Sequence, residues 1–380
     1  MQDTPSYWEQ MTFLAPFDIL IVGGGIVGCA AALHCATSNP SLRIGLVERG
    51  SLPKGASTRN AGFATFGSIS EICGDLDSMG EAATLDLIKK RKNGLQELFR
   101  LIPSANLGFV PTGGYEVFLQ HEEAVYENCL EKIEFLNDAL VPLFNSAPFV
   151  ADDSIADAMQ LHDVAHVIHH PFEGVLHPGK MMQQFTTSVQ AAGISLFNGF
   201  EIQHLISEDA RVRLLGAQGI HLTAKYCIVA TNAFALQLVP AIEMRPARNQ
   251  VYLTGPIDNL ALKGCFHYDH GFIYFREVDG RVLIGGARNA DFENENTSEF
   301  GLSEPIRQQL VSFLGRHILP ETTFDIEYAW SGIIGIGEEK SPIVKMVDER
   351  IAVAVRLSGM GVAIGSLVGA HAAQLVLARL

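Results

Sequence analysis

Apolar runs and helical patterns alternate at the start of the chain. Residues 19–22 form a continuous apolar run, which is typical of a parallel strand buried on both faces. The run leads into a G-x-G-x-x-G turn at residues 23–28 and then into an Ala-rich stretch that favours a helix. A second apolar run at residues 44–47 ends at Glu48. This order predicts a strand–helix–strand unit with a glycine-rich first turn.

The glycines of the turn predict a dinucleotide-binding site. Gly23 allows the tight turn, Gly25 lets the backbone approach a pyrophosphate, and Gly28 lets the helix pack closely on the strand. The free N–H groups at the helix start would face the anion, and the helix dipole favours it there. Glu48 lies 20 positions after Gly28, where an acid accepts hydrogen bonds from ribose hydroxyls and repels a 2′-phosphate.

The rest of the chain combines helical segments with strands of two kinds. Residues 81–102 and 122–140 carry apolar side chains at helical spacing, and residues 227–233 predict another buried strand that ends in small residues. From 248 to 287, short strands with alternating or aromatic character predict an antiparallel sheet, with Gly280 at one of its turns. Because such segments alternate with strand–helix–strand segments, we expect two interleaved domains.

Composition indicates a globular protein with a large core. The chain has 380 residues, of which 48% are hydrophobic and 18% charged, and this length favours two domains. The net charge of −15 argues against nucleic acid or an anionic membrane as a partner, since both need a basic surface. It does not argue against an anionic cofactor that backbone dipoles hold.

The sequence predicts neither export, nor a metal site, nor a membrane span. The amino terminus is acidic and aromatic, whereas a signal peptide begins with a basic region. The apolar stretches 17–36 and 351–370 contain glycine-rich breaks, so we interpret both as buried strand–turn–helix units. The six cysteines are scattered without a C-x-x-C pair, which favours free thiols in a reducing compartment. We therefore predict a cytoplasmic protein without a metal.

Seven further motifs follow the glycine turn in a fixed order. They are ASTRNAGF at 56–63, HPGK at 177–180, IVATNA at 228–233, RPARNQ at 245–250, GRVLIGG at 280–286, WSG at 330–332 and SGMG at 358–361. Together with the turn and Glu48, they resemble the FAD-dependent D-amino acid oxidase superfamily along nearly the whole chain. That superfamily includes glycine and sarcosine oxidases and the flavoenzymes that oxidise gamma-glutamylputrescine.

The resemblance implies FAD as the cofactor and an α/β fold of two interleaved domains. A Rossmann-type FAD-binding domain with a parallel sheet would comprise residues 14–80, 160–235 and 326–380. An α+β substrate domain built on an antiparallel sheet would comprise residues 81–159 and 236–325.

The resemblance also assigns the residues that hold the flavin. The last helix would direct its N-terminus at the pyrimidine edge of the ring, where its dipole stabilises negative charge. The segment from Ser57 to Gly62 would line the diphosphate and the ring, and Ile202 would meet the adenine. The full expected set is Gly23, Gly25, Ile26, Val27, Gly28, Glu48, Arg49, Ser57, Thr58, Arg59, Asn60, Ala61, Gly62, Ile202, Ala230, Thr231, Gly332, Gly359, Met360, Gly361 and Val362.

The reaction that the resemblance implies is the oxidation of a C–N bond in a small amine or N-substituted amino acid. A hydride passes to flavin N5 and the resulting imine hydrolyses; the electron acceptor, O2 or another, stays open. The predicted catalytic residues are Arg276, Lys340 and Tyr252. The fork of Arg276 suits a carboxylate, although an edge-strand surface position is an equal alternative. Lys340 would otherwise be a solvated loop residue, and Tyr252 and Tyr274 would wall the pocket or pack in the core.

Three positions depart from the pattern of the small amino acid oxidases. Ile334 stands where D-amino acid and glycine oxidases have an Arg that pairs with the substrate carboxylate. Val362-Ala363 and Leu283 stand where sarcosine oxidases have lysines. These uncharged residues argue against simple glycine, sarcosine or D-amino acid oxidation. Two alternatives stay open: an FAD-dependent 2-hydroxy acid dehydrogenase on the same scaffold, and a non-catalytic flavin-binding subunit of a complex.

Overall fold

The computed structural model describes residues 5–217 and 219–380. The strands are β1 (Phe17–Val22), β2 (Ile44–Glu48), β3 (Phe63–Ala64), β4 (Gly114–Leu119), β5 (Val150–Ala151), β6 (Val164–His170), β7 (Gly174–Val175), β8 (Ser195–Asn198), β9 (Ile202–Ser207), β10 (Val212–Gly216), β11 (His221–Val229), β12 (Arg245–Thr254), β13 (Cys265–Tyr268), β14 (Ile273–Val278), β15 (Arg281–Gly286), β16 (Ile326–Ile336), β17 (Ile343–Met346) and β18 (Ile351–Val355). The helices are α1 (Tyr7–Thr12), α2 (Ile26–Ser38), α3 (Ala56–Arg59), α4 (Ile69–Met79), α5 (Glu81–Leu101), α6 (Glu123–Phe144), α7 (Ser154–Ala158), α8 (Pro178–Ala191), α9 (Phe292–Glu295), α10 (Glu304–Phe313) and α11 (Gly361–Leu377).

The first sheet is the predicted parallel sheet. Strands β18, β11, β1, β2 and β8 run parallel in that order, while β17 and the pair β9–β10 add antiparallel strands. Apart from Asp18, its central strand β1 is apolar because both faces are covered. Ile19 and Ile21 pack against α2 and α11, whereas Leu20 packs on the opposite face with side chains of β10 and β11. This sheet, with its covering helices, confirms the predicted fold class.

The second sheet is mainly antiparallel, as predicted. Its strand order is β16-β12-β15-β14-β13-β4-β6-β5, and β4 and β13 are its one parallel pair in the part of the chain described. One face carries Tyr252, Phe266 and Phe275, which pack with Phe313 of α10 into a second core. The other face is turned towards the loop that holds residues 56–63, so the sheet forms a wall beside the first sheet.

Apart from β3 and β7, which pair with each other in a two-stranded sheet, the strands divide between the two large sheets nearly as the predicted domain ranges do. Two strands depart from those ranges, since β6 and β16 pair within the second sheet although residues 160–235 and 326–380 were expected in the FAD-binding domain. Both strands lie next to a crossing of the chain from one sheet to the other, where a pattern of apolar residues cannot show which sheet a strand joins. The domain boundaries themselves stay a prediction.

Helices α2 and α5 pack closely against α11 through glycines. A Cβ atom at Gly94 of α5 would collide with the Ala363 carbonyl oxygen of α11, and one at Gly369 would lie 2.8 Å from Ala30 Cβ of α2. The absence of side chains at these positions lets the backbones approach. Within residues 5–217 and 219–380, none of the helices combines the length and the apolar character that crossing a membrane requires.

Candidate active site

A long cavity opens at the carboxyl ends of the parallel strands, where α/β sheets bind their ligands. The strands β1, β2, β11 and β18 end at it, and α2 and α11 begin at it. Its lining includes Gly23, Gly25, Ile26, Val27, Glu48, Arg49, Ser57, Asn60, Ile202, Ala230, Thr231, Gly359, Gly361 and Val362, all of them predicted cofactor residues.

The glycine turn has the backbone geometry that its sequence predicts. Gly23 has a φ angle of +112°, which side chains other than glycine rarely adopt. A Cβ atom at Gly28 would collide with the Gly23 carbonyl oxygen, so Gly28 serves the close contact between helix and turn and does not itself line the cavity. The cradle therefore depends on both glycines, one for the turn and one for packing.

The start of α2 offers backbone donors to the cavity. Gly25 at the N-cap position has no side chain to accept from the first turn, and Ser57 Oγ accepts from Ile26 N–H at 3.0 Å. The N–H groups of the next residues have no acceptor within the helix, because the first turn of any α-helix lacks one. Such a start suits a pyrophosphate, and Ser57 lies beside it.

Glu48 is held in place by two backbone donors. Gly24 N–H donates to its Oε2 at 3.0 Å and Gly50 N–H donates to its Oε1 at 2.9 Å. Each carboxylate oxygen keeps a free lone pair, so the side chain can still accept from ribose hydroxyls. Beside it, the Arg49 guanidinium lies 3.8 Å from the centre of the Phe234 ring, and both side chains line the cavity.

Two further features fit a bound cofactor. Thr231 Oγ1 is buried at the cavity wall and has no hydrogen-bond partner in the part of the chain described, which is unusual for a buried hydroxyl unless a ligand supplies the partner. The turn before α11 is left-handed at Ser358 (φ 48°) and Gly359 (φ 86°), and it places the start of a 17-residue helix at the cavity. The residues present therefore fit a bound dinucleotide.

Comparison with known proteins decides which dinucleotide this is. A family model described as FAD dependent oxidoreductase matches residues 18–375. The chain belongs to this family. It is an oxidoreductase and its cofactor is FAD, as the motifs predicted.

Several relatives of this FAD dependent oxidoreductase have been characterised or named. A probable oxidoreductase OrdL of Rhizobium meliloti is 24% identical over 95% of this chain and 83% of that protein. Gamma-glutamylputrescine oxidoreductase of Escherichia coli is 23% identical over 94% of this chain and 83% of its own length. The crystal structure of glycine oxidase from Geobacillus kaustophilus superposes with a TM-score of 0.77 at 20% identity, over 96% of this chain and 95% of the other. At that identity the superposition shows a shared fold.

A second cavity, of about 440 Å³, lies on the other side of the loop at residues 56–60 and the start of α11. The two cavities share Ala56, Asn60, Ile334, Ser358, Gly359 and Val362 as lining residues. The antiparallel sheet forms its roof through Asn249, His267 and Tyr274. Since its volume suits a small organic molecule, this cavity is the candidate substrate site.

One wall of the second cavity carries a charge-balanced cluster. Lys340 Nζ lies 2.9 Å from Glu71 Oε1 and 2.6 Å from Asp75 Oδ1, and Arg91 Nη2 also reaches Glu71 at 3.1 Å. Burial alone would raise the pKa of Glu71, but Arg91 and Lys340 lower it to about 2. Burial raises the pKa of Asp75 above its ordinary value, with Lys340 opposing the shift. Two acids and two cations thus leave this wall nearly neutral overall.

The roof of the second cavity contains two buried polar atoms that have no hydrogen-bond partner among the described residues. They are His267 Nε2 and Asn249 Oδ1. Burial lowers the pKa of His267 to about 4, so its imidazole is neutral at physiological pH. Both side chains line the second cavity, where a bound molecule would supply the missing partners.

The three predicted catalytic residues occupy very different places. Lys340 lines the second cavity, as part of the cluster described above. Arg276 lines neither cavity, because its Nη1 donates to the carbonyl oxygens of Leu176 at 3.1 Å and Gly62 at 3.4 Å. Tyr252 is buried on the opposite face of the sheet, where its hydroxyl donates to Gln250 Oε1 at 2.9 Å. We therefore correct the sequence interpretation: Arg276 and Tyr252 have structural contacts, and Tyr274 takes the place on the cavity wall.

The predicted cofactor residues also lie in different places. Arg59, Ala61, Gly332 and Met360 line the second cavity, towards the substrate side. Thr58 and Gly62 line neither cavity. The Thr58 hydroxyl donates to the Pro53 carbonyl oxygen at 2.7 Å, which stabilises the loop itself.

Sequence reasoning missed residues that line these cavities. The first cavity also contains Phe200, Asn232, Phe234 and Gln237. Asn232 belongs to the quoted IVATNA motif, so the motif gave a usable signal, whereas the others lie in segments without a recognisable pattern. The second cavity contains Arg288, just beyond the GRVLIGG motif.

Proposed function

We propose that this FAD dependent oxidoreductase oxidises a C–N bond of a small amine or N-substituted amino acid. Bound FAD supplies the hydride acceptor at N5. The carbon next to nitrogen would lose a hydride, nitrogen would lose a proton, and the resulting imine would be hydrolysed by water. The observation that carries the proposal is the second cavity, which adjoins the cofactor cavity along residues 56–60 and the start of α11.

Several features of the second cavity support this chemistry. It is walled by Phe63, Phe272 and Tyr274, which would exclude water from the reacting carbon. Its roof offers Asn249 Oδ1 as an acceptor for a substrate N–H group and His267 as a neutral partner. The start of α11 faces the cofactor side, where its dipole would stabilise negative charge that develops on the ring.

The family relatives point in the same direction. Two of them are named for a glycine oxidase activity and a gamma-glutamylputrescine oxidoreductase activity, both of which act on a C–N bond. The substrate-contacting residues that we propose are Lys340, Tyr274 and Asn249, and the cofactor-contacting residues are the members of the predicted set that line the first cavity. The six free thiols, all buried in the structure, support a reducing compartment such as the cytoplasm.

The test is an anaerobic titration of the FAD-loaded protein, followed by its visible spectrum. The panel contains glycine, L-proline, iminodiacetate and gamma-glutamylputrescine, with 2-hydroxyglutarate and glycerol 3-phosphate as hydroxyl counterparts. We expect an amine or amino acid to bleach the oxidised flavin absorption and to yield the aldehyde or oxo acid that imine hydrolysis produces. Bleaching by a hydroxy compound alone would establish the dehydrogenase alternative. A flavin that no small molecule reduces, in a protein that copurifies with partners, would favour the non-catalytic subunit.

A further inference from the structure

We infer that Arg288 binds the carboxylate of the substrate, so that the substrate class is an amino acid and not a simple amine. This inference rests on the proposed function, because it concerns the same cavity. It adds a site that the motifs do not assign: Arg288 lies two residues beyond the end of the GRVLIGG motif, in the turn that follows β15.

The first argument is that Arg288 has no anionic partner. Three cations line the second cavity: Arg59, Arg288 and Lys340. Lys340 is paired with two carboxylates, and Arg59 Nη1 donates to the Ser331 carbonyl oxygen at 2.8 Å. In residues 5–217 and 219–380, Arg288 has neither a carboxylate within ion-pair distance nor a hydrogen-bond acceptor. Burial lowers its pKa, and the positive charge of Arg245 adds to that shift.

The Arg288 side chain is half-buried, and none of its nitrogens is among the buried polar atoms that lack a partner in the described part of the chain, so its donors stay accessible to a ligand. The planar fork of Arg matches the two oxygens of a carboxylate. The guanidinium lies 4.9 Å from the ring centre of Phe292 and 5.6 Å from that of Phe272. These two rings restrict the orientation of the fork and leave its donors to the cavity.

The backbone before Arg288 is held in a conformation that ordinary residues avoid. Gly286 has a φ angle of +98° and Ala287 one of +56°. Ala287 N–H donates to the Phe272 carbonyl oxygen at 2.6 Å, and a Cβ atom at Gly286 would collide with that same oxygen. Left-handed conformations of residues with side chains are unfavourable and often occur at functional sites. Here the turn directs the next residue, Arg288, back towards the cavity.

The loop after Arg288 is also anchored to the sheet. Arg248 Nη2 and Nε donate to Glu295 Oε1 and Oε2 at 2.8 and 3.0 Å, and Gln250 Nε2 donates to Glu295 Oε1 at 2.9 Å. Ser303 N–H donates to Gln250 Oε1 at 3.0 Å. Glu295 is only 1% exposed, and this network fixes the loop against β12. It thereby limits the freedom of Phe292 beside Arg288.

Arg59 is the other cation of the cavity without a carboxylate partner among the described residues, but its Nη1 is engaged by the Ser331 carbonyl oxygen. Ile334, at the position where the resemblance places a carboxylate-binding Arg, is uncharged and lines both cavities. A carboxylate at Arg288 would leave the rest of the molecule to extend under Asn249 and His267, towards the residues shared with the cofactor cavity. This arrangement selects for a substrate with a carboxylate at one end and an amine at the other.

The test measures binding apart from turnover. Calorimetry on the FAD-loaded protein would determine the Kd of 2-furoate, a carboxylate without an oxidisable amine, for the unchanged chain, Arg288→Met and Arg288→Lys. Arg281→Met is the matched control, because Arg281 begins β15, the strand that leads to Arg288, and pairs with Glu327 at the surface. We expect Arg288→Met to weaken binding about tenfold or more, Arg288→Lys to weaken it less, and Arg281→Met to leave it unchanged.

A second measurement separates this inference from the proposed function. Flavin reduction by L-proline and by pyrrolidine, which differ only in the carboxylate, would be compared in each variant. We expect Arg288→Met to raise the KM for an amino acid that reduces the unchanged protein and to leave the matched amine unaffected. Equal 2-furoate affinity in Arg288→Met and the unchanged chain would overturn the inference, as would equal losses for both reductants. Arg288-dependent 2-furoate binding in a protein that only hydroxy acids reduce would support the carboxylate site and overturn the proposed C–N chemistry.

Discussion

Glu173 is a carboxyl group that the fold buries between β6 and β7. It is 2% exposed, and its Oε1 accepts from Phe66 N–H at 2.5 Å. Burial raises the pKa of Glu173 to about 8, whereas an exposed Glu titrates near pH ~4.3. Between these two values the folded protein keeps a proton that the unfolded chain releases. The free energy of unfolding therefore falls as the pH rises through this window.

We predict that Glu173→Gln removes this contribution. One proton difference corresponds to a slope of about 1.4 kcal/mol per pH unit at its steepest. The advantage of the Gln variant over the unchanged chain should therefore grow from pH 5 to pH 8 in urea unfolding experiments. Comparison of the two chains cancels other groups, such as Glu116, whose pKa burial raises to about 7. Glu134→Gln, at an exposed position, is the control. Parallel pH profiles for Glu173→Gln and the unchanged chain would contradict the prediction.

At the scale of elements, α5 and α11 touch where Gly94 meets Ala363. We predict that Gly94→Ala lowers the free energy of unfolding by about 1–3 kcal/mol, because the new methyl group must separate two backbones. Gly74→Ala on α4 is the matched control, since a Cβ atom there meets open space and alanine favours a helix by about 0.5–1 kcal/mol. Denaturant unfolding of both variants checks the contrast. A stabilised Gly94→Ala variant would show that the contact between these helices is not tight.

The sequence predicted the helices and strands better than it predicted the directions of their side chains. Alternation along β14 correctly places Tyr274 and Arg276 on one face of the sheet, but Arg276 lies two positions beyond the cavity, about 7 Å along the strand. Tyr252 lies on the other face. Residues 251–253 are all hydrophobic, so no alternation in this part of β12 marks the cavity side. Arg288 was missed because the direction of its side chain depends on a hydrogen bond between Ala287, which follows β15, and Phe272, which precedes β14.

The glycines show the same limit of prediction from the sequence. Gly23, Gly25 and Gly28 stand in a spacing with a known physical purpose, so the turn was predicted from the sequence alone. Gly94 and Gly369 lie within helices, where a single glycine has no recognisable spacing. Their purpose depends on which helix lies opposite, and that is set by the fold of the whole chain.

At the scale of the whole molecule, the loop at residues 56–63 joins the two sheets across the cofactor cavity. Trp330 Nε1 on β16 donates to the Arg59 carbonyl oxygen at 3.0 Å, and Arg276 on β14 donates to the Gly62 carbonyl oxygen. The same loop contributes Ser57 beside the start of α2. A cofactor bound against this loop would therefore stabilise both sheets together, although each has its own apolar core.

This coupling predicts a single unfolding transition that depends on FAD. The chain has two tryptophans, and Trp8 is 74% exposed on α1, so Trp8→Phe leaves Trp330, between the sheets, as the remaining tryptophan for selective excitation. FAD at a hundred times its Kd should raise the free energy of unfolding by about 2.7 kcal/mol. Fluorescence of Trp330 and circular dichroism should follow the same transition with and without FAD. Because Trp330 lies at the junction, a fluorescence change that precedes the loss of secondary structure would mean that the sheets separate first, and it would contradict the prediction of a single transition.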